Sequence, residues 1–354
     1  MNSLERFCAT IERRSVDRPA SWLGIPSPQA LPGLFAEYGA ANLHDLKLAV
    51  GDDLYSVAIP YKSDYSSSIS SAFDWYQDGV ARIANRTLTA DGCFKDCETV
   101  EDTAFFKWPE PEKYIDPEEC RRLVDQAPED KAILGVFWST HFQNTCASFG
   151  METALMNMIS NPGLVEAVDK KIVDFFLRAN EVFYKATCSP AAGRGKGRRL
   201  QAVLIGDDVG TQRGLLVSPA LIRRFVIPGC RALVEQAHSY GVKVIYHSCG
   251  SVADAIPDMI EAGVDAVHPI QALAAGMEPE NLRSRYGDKV SFCGGVDTQR
   301  LLVHGSTEEV KDKIRELRKL FPTGLVISPS HEAIQDDVPP KNIRALFEEA
   351  GKVY

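Results

Sequence analysis

Short apolar, β-branched runs alternate with longer amphipathic segments from about residue 130 onward. Six such runs lie at 131–139, 201–208, 242–250, 265–271, 289–297 and 324–331, and two more lie upstream at 20–26 and 54–60. They are apolar on both faces, as the strands of a buried parallel sheet must be. Eight βα units favour a closed (β/α)8 TIM barrel. An open doubly wound sheet is the alternative, but no glycine-rich nucleotide-binding turn follows any run.

The segments between the runs carry helix signals. Ser218-Pro219 opens a helix that Gly241 closes, and Ser306 with Glu309 forms a capping box ahead of another. Residues 163–184 place apolar side chains along one face, which indicates a core helix and not a cofactor site.

Residues 61–130 show little periodicity, so we expect them to form an insertion near the barrel mouth. An N-terminal extension is expected as well. No linker or internal repeat is evident, and residues 1–354 are predicted to form a single domain. The basic segment 191–199 precedes a strand and is interpreted as a solvated loop at the opposite face of the barrel.

The charge balance argues against several classes of partner. A net charge of -9 repels nucleic-acid backbones and anionic lipid. The first residues lack the apolar region of a signal peptide, and no run has the length of a membrane span. Nine scattered cysteines fit free thiols in a reducing compartment. The expected location is therefore the cytoplasm.

A barrel enzyme carries its chemistry at the carboxyl ends of its strands. The predicted strands end in residues that bind metals or exchange protons: Asp207, Asp208, His247, Cys249, His268, Gln271, Cys293, Asp297 and His331. We predict Asp207, His247 and His331 as catalytic. We predict Asp208, Gln271 and Asp297 as substrate-binding, although Asp297 could instead cap the next short helix.

His247 and Cys249 form the sharpest motif. Residues i and i+2 of a strand point to the same side, so an imidazole and a thiolate can meet at one zinc ion. The third ligand is predicted to be His331, with Cys293 in reserve, and a fourth position is left open. The alternatives are core packing for the cysteines and a backbone partner for His247.

The paired carboxylates Asp207 and Asp208 follow a strand directly. Because adjacent side chains of a strand point to opposite sides, at most one of them faces the pocket. Substrate binding, proton transfer or a fourth metal bond are the functional interpretations. A helix cap or an ion pair with Arg213 is the structural alternative. His268, which precedes a proline, is left open between the two kinds of role.

The motifs at 206–214, 246–252, 294–302 and 328–343 resemble those of the uroporphyrinogen decarboxylase superfamily, whose fold is a (β/α)8 barrel. One branch of it decarboxylates uroporphyrinogen without a cofactor, using arginines after the first strand. Here the matching stretch, 22–33, contains no arginine. An octa-acid needs cationic partners, so this stretch argues against that substrate.

The other branch holds zinc methyltransferases that move methyl groups between corrinoid proteins and a thiol. Its His-x-Cys motif is present as His247 and Cys249, but His331 stands where that branch has a later cysteine. The resemblance implies a zinc-dependent methyltransferase that works with the cobalamin of a corrinoid protein. The alternatives are a cofactor-independent decarboxylase or lyase and a metal-binding or corrinoid-binding module without turnover.

Overall fold

A computed structural model of the protein describes residues 1–64, 66–75, 90–188 and 199–353, and contains a barrel of parallel strands. The strands are β1 (Ala20–Ser21), β2 (Leu54–Ala58), β3 (Ala132–Val136), β4 (Ala202–Gly206), β5 (Lys243–His247), β6 (Ala266–Ile270), β7 (Ser291–Val296) and β8 (Leu325–Pro329). The order β1-β8-β7-β6-β5-β4-β3-β2 leaves β1 and β2 at the two ends. The N–H of Asp53 donates to the carbonyl of Ser21 at 2.9 Å and nearly closes the barrel there. The predicted (β/α)8 barrel is confirmed.

The described residues form fourteen α-helices around the strands. They are α1 (Ser3–Ile11), α2 (Leu31–Tyr38), α3 (Leu43–Ala49), α4 (Pro117–Asp125), α5 (His141–Phe149), α6 (Met151–Ser160), α7 (Pro162–Thr187), α8 (Pro219–Phe225), α9 (Ile227–Ser239), α10 (Ile256–Glu261), α11 (Pro279–Tyr286), α12 (Leu301–His304), α13 (Thr307–Leu320) and α14 (Pro340–Ala350). None of these helices is long and apolar enough to cross a membrane.

Two helix predictions have different outcomes. The capping box of Ser306 and Glu309 is present at the start of α13. The segment between Ser218 and Gly241 forms two helices instead of one, with a break at Val226. Pro228 lacks the N–H that a continuous helix would donate to the preceding turn, so the helix is interrupted there.

Side chains that alternate along the strands fill two layers. The inner layer lies inside the barrel and includes Leu134, Leu204 and Ile245, whereas the outer layer lies between the strands and the helices. Helix α1 adds Phe7 and Ile11 to the inner layer. It closes the floor, the end of the barrel opposite the carboxyl ends of the strands.

The insertion between β2 and β3 packs through aromatic rings, with Trp75 stacked on Phe106 at 5.0 Å between ring centroids. The indole N–H of Trp75 donates to Asn144 in α5 at 3.0 Å. Since α5 follows the carboxyl end of β3, the insertion is attached on the mouth side. Residues 65 and 76–89 of the insertion, and the basic loop predicted at 191–199 except Arg199, lie outside the described residues.

Candidate metal centre

Glycines allow the ends of β4 and β5 to approach closely. Gly206 has φ +136°, and a Cβ there would lie 2.2 Å from the carbonyl oxygen of His247. A Cβ at Gly210 would lie 2.4 Å from the carbonyl oxygen of Cys249. Side chains larger than hydrogen would separate these backbones. The glycines therefore bring Asp208, which lies between them, beside the His-x-Cys motif.

Asp208, His247 and Cys249 form one cluster at the mouth. The Nε2 of His247 lies 3.2 Å from Oδ1 of Asp208 and 3.4 Å from Sγ of Cys249. The backbone N–H of Cys249 donates to the same Oδ1 at 2.9 Å. Nitrogen, sulfur and oxygen donors therefore converge on one point.

The two separations around Nε2 of His247 fit zinc, and all three ligand atoms lie within 4.8 Å of one another. With ordinary bond lengths to nitrogen, oxygen and sulfur, ligand atoms around a tetrahedral zinc ion lie roughly 3.3–3.6 Å apart. The separations of 3.2 Å and 3.4 Å around Nε2 of His247 are close to that range. The residues present can therefore hold the ion with little movement.

His331 lies at the rim of this cluster, with its ring centroid 6.5 Å from that of His247. Its Nδ1 accepts the N–H of Ala333 at 3.0 Å, so Nδ1 has no proton and Nε2 carries it. A hydrogen bond with Cys249 raises the pKa of His331. In this arrangement His331 is an N–H donor toward the cluster. Its predicted role as a ligand remains a prediction, and the geometry favours Asp208 as the third ligand.

The charges of the cluster are strongly coupled. Burial favours the neutral imidazole, but contacts with Asp208 and Cys249 outweigh it and raise the pKa of His247 well above its ordinary value. Burial also penalises the carboxylate of Asp208, yet the hydrogen bond from His247 lowers the pKa of Asp208 to about 2. Without a metal, His247 holds a positive charge at the place where the donor atoms meet.

A second group lies on the other face of the His247 ring. The Nδ1 atoms of His247 and His268 are 3.0 Å apart, and Oε2 of Glu332 lies 3.5 Å from Nδ1 of His247. Burial and the charge of His247 lower the pKa of His268 well below its ordinary value. These groups hold the orientation of the His247 ring, since carboxylates and other acceptors commonly take the second N–H of a metal-binding histidine.

Two tryptophans cover the inner side of the histidines. Trp138 packs edge-on against His247 at 5.2 Å, and Trp22 packs against His268 at 5.4 Å. On the rim side, 41% of the Asp208 side chain and 36% of the His331 side chain are exposed. The centre is therefore open toward the mouth and shielded toward the barrel interior.

Asp207 points away from this centre. It is fully buried, accepts the N–H of Gln143 at 2.8 Å and lies 3.5 Å from Nε2 of His141. Burial raises the pKa of Asp207 to about 6. As the alternation of a strand predicts, only one of the two adjacent carboxylates, that of Asp208, reaches the pocket.

The remaining predicted site residues lie around the cluster. Gln271 accepts the N–H of Gly250 at 2.6 Å and so holds the loop after β5. Asp297 accepts backbone N–H groups at the start of α12, including that of Leu301 at 2.9 Å. Cys293 is fully buried in the inner layer, where burial raises the pKa of its thiol.

Sequence reasoning missed several of these residues. Glu332 directly follows His331, and that position was the one available signal for it. Trp22 and Trp138 lie in predicted strand runs, where they are indistinguishable from core residues. His141, which pairs with Asp207 and with Asp169 at 2.8 Å, lies beyond the run that ends at 139.

Comparisons with known proteins agree with this architecture. The family model for uroporphyrinogen decarboxylase (URO-D) matches residues 117–353. A methyltransferase from Methanosarcina mazei is 17% identical, with a TM-score of 0.69 over 99% of this chain and 98% of that one. At that identity the likeness establishes the fold alone.

A candidate vitamin-B12-independent methionine synthase from Listeria monocytogenes is more distant. It is 10% identical, with a TM-score of 0.46 over 96% of this chain and 98% of that one. No curated protein sequence matches the chain significantly.

Proposed function

The chain belongs to the uroporphyrinogen decarboxylase (URO-D) family, and from that premise we propose that it is a zinc-dependent methyltransferase that works with a corrinoid protein. The observation that carries the proposal is the convergence of Asp208, His247 and Cys249 at the open mouth of the barrel. A metal centre of this composition has no evident use in a cofactor-independent decarboxylation. The fold shared with a methyltransferase is consistent with this function.

We assign the metal bonds to Nε2 of His247, Sγ of Cys249 and Oδ1 of Asp208. Three protein ligands leave one position open, as in catalytic zinc sites. Zinc bound there would supply a Lewis acid that lowers the pKa of a thiol or polarises an oxygen. The hydrogen bond from the N–H of Cys249 to Asp208 keeps two of the ligands in register.

His331 faces the open side of the centre from the rim. Its Nε2–H can donate a hydrogen bond to the sulfur of Cys249 or to a substrate atom beside it. A donor at this place stabilises negative charge on the substrate or delivers a proton to it. This is the catalytic role we propose for His331.

The partner proposed for the mouth is a corrinoid protein, whose cobalamin would supply the methyl carrier. Cobalamin is far larger than the space inside a barrel, so the exchange must take place at an accessible rim. The exposed sides of Asp208 and His331 meet that requirement. Trp138 shields the inner side of His247 from water.

Uroporphyrinogen is a poorly supported substrate for this member of the family. The segment 22–33, which follows the start of the first strand, contains no arginine to bind the carboxylates of that substrate. Two buried upstream arginines, Arg6 and Arg18, are bound to Asp53 at 2.7 Å on the floor side of the barrel. They are therefore not available to substrate carboxylates at the mouth.

The test measures metal content and methyl transfer together. Protein purified without added metal should contain stoichiometric zinc by mass spectrometry, and should demethylate methylcobalamin in the presence of a thiol such as coenzyme M. Cys249→Ala should lose most of both, because two remaining ligands bind zinc weakly. Cys293→Ala is the matched control, and it should retain both.

Two outcomes would contradict the proposal. Equal zinc content in the wild type and Cys249→Ala would show that the cluster is not the metal site. Conversion of uroporphyrinogen to coproporphyrinogen at an enzymatic rate would instead support the alternative function, a decarboxylase.

A further inference from the structure

The barrel has a seam between β1 and β2. Strand β1 contains two residues. The other neighbouring pairs among the described strands are joined by β-ladders, but β1 and β2 are not. Besides the Asp53–Ser21 bond, the seam is held by the indole N–H of Trp22, which donates to Oγ of Ser56 at 2.8 Å. A cavity of about 210 Å³ lies at this seam.

The cavity extends from the protein surface toward the metal centre. Its outer part is lined by Leu43 and Lys47 of α3, and 41% of Leu43 is exposed. Its inner part is lined by Trp22 and Trp138, the two rings that pack on the histidines. The seam therefore provides a lateral approach to the two indole rings that border the centre, and this approach is separate from the mouth.

Lys47 places a cation beside this largely apolar space. Its ammonium group donates to the carbonyl of Ser56 at 2.7 Å and lies 4.9 Å from the ring centroid of Tyr55. The nearby carboxylate of Asp52 is bound by Lys131 at 2.8 Å. Within the described ranges no carboxylate forms an ion pair with Lys47, and two of its three N–H groups lack an acceptor.

The surroundings of Lys47 leave its charge incompletely compensated. Burial lowers the pKa of Lys47 to about 8. An anion that bound here would replace the missing acceptors and restore the favourable environment of the ammonium group. A ligand carboxylate would add a second negative group at the Lys47 end of the cavity, where the carboxylate of Asp52 is already engaged by Lys131.

We propose that the seam pocket binds a small aromatic carboxylate, with its carboxylate on Lys47 and its ring against Trp22 and Trp138. The volume supports a single ring, since pockets for drug-sized ligands start at roughly 300 Å³. Flat indole faces and edges favour an aromatic ring over an extended chain. The role of this ligand as the methyl-bearing substrate rests on the proposed function, whereas its binding to the pocket does not. Access through the seam leaves the mouth free for the corrinoid protein.

Binding of the probe 4-fluorobenzoate to the full-length protein as purified is measured by fluorine NMR. The neutral isostere 4-fluorobenzamide reports the ring contacts alone. Lys47→Met should weaken 4-fluorobenzoate binding by about tenfold or more, the effect expected for a charge-assisted hydrogen bond, and leave the benzamide little changed. Lys319→Met, on an exposed face of α13, is the control and should alter neither.

A second variant fills the pocket without touching the charge. Ala58 lines the cavity and is itself exposed, so Ala58→Trp should abolish the binding of both probes while circular dichroism stays unchanged. Wild-type binding of 4-fluorobenzoate that persists in either Lys47→Met or Ala58→Trp would overturn the inference. So would the absence of binding to the wild type.

The two proposals fail separately. Zinc content is measured on the same samples, so a protein without zinc that binds 4-fluorobenzoate through Lys47 would refute the methyltransferase and leave the pocket. A zinc protein that transfers methyl groups but does not bind the probe would refute the pocket and leave the methyltransferase.

Discussion

The Nδ1 atoms of His247 and His268 lie 3.0 Å apart, so one of them must donate a proton to the other. His268 is the acceptor, because burial and the charge of its neighbour keep it neutral. His247 therefore carries its proton on Nδ1 when it binds a metal, and its Nε2 faces Asp208 and Cys249. His268 on β6 thus determines that Nε2, and not Nδ1, is the nitrogen of His247 that can bind the metal.

Replacing His268 should weaken the centre without removing a ligand. His268→Leu deletes the acceptor for His247, and loss of such a supporting contact typically lowers metal affinity by about 10–100-fold. Zinc affinity is measured by competition with a chromogenic chelator. His304→Ala, at an exposed histidine, is the control. Unchanged affinity in His268→Leu would contradict the assignment of the proton.

Replacing His331 should separate zinc binding from catalysis. His331→Ala leaves Asp208, His247 and Cys249 in place, so zinc content should stay near that of the wild type while methyl transfer falls by about 10²-fold or more, as expected for a proton donor. Metal analysis and a methylcobalamin assay on one sample give both values. Complete loss of zinc would instead identify His331 as a ligand.

The buried pair of His141 and Asp207 should make stability depend on pH. Burial opposes the charge on His141, but Asp169 and Asp207 outweigh it and raise the pKa of His141 from 6.5 to about 9. The folded protein therefore keeps a proton that the unfolded chain releases above about pH 6.5. The stability this proton provides is complete below pH 6.5 and is lost as the pH rises through about 9.

The double variant His141→Gln/Asp207→Asn isolates this effect. The free energy of unfolding of the wild type, minus that of the variant, should fall by roughly 2–3 kcal/mol between pH 6 and 9.5. Urea denaturation at several pH values measures it. A difference that does not change with pH would show that His141 is neutral in the folded protein.

The floor of the barrel depends on a buried charge cluster. Asp53 is fully buried and binds both Arg6 and Arg18 at 2.7 Å. Asp53→Ala leaves Arg18 without its carboxylate and Arg6 with Asp17 alone, which should lower the free energy of unfolding by about 3–5 kcal/mol. Asp174→Ala breaks the exposed pair with Lys170 and should cost less than about 1 kcal/mol. Similar losses in both variants would contradict this account.

The barrel could be predicted from the sequence because its strands are buried on both faces and its helices are capped. The runs around Leu204 and Ile245 are continuous and apolar. Few folds other than a barrel or an open parallel sheet bury such runs when helices separate them. The break at Val226 was missed because it depends on Pro228, inside a segment that is otherwise amphipathic.

The candidate site was only partly predictable. His247 and Cys249 share a strand face, so their convergence follows from the period of a strand. The proximity of Asp208 depends on backbone contacts of Gly206 and Gly210, which are long-range in sequence. The tautomer of His331 depends on the N–H of Ala333, and no sequence pattern reports it.

Helix α1 contacts parts of the chain that the ribosome synthesises much later than α1 itself. Ser291 of β7 donates to the carbonyl of Ile11 across 280 residues, and Phe7 lies inside the barrel. On a ribosome, α1 leaves the exit tunnel long before β7 and β8. Its contacts with these two strands form only after most of the protein has been translated. Nascent chains stalled before Ser291 have no floor contact from β7, and they are the species that a chaperone would need to protect.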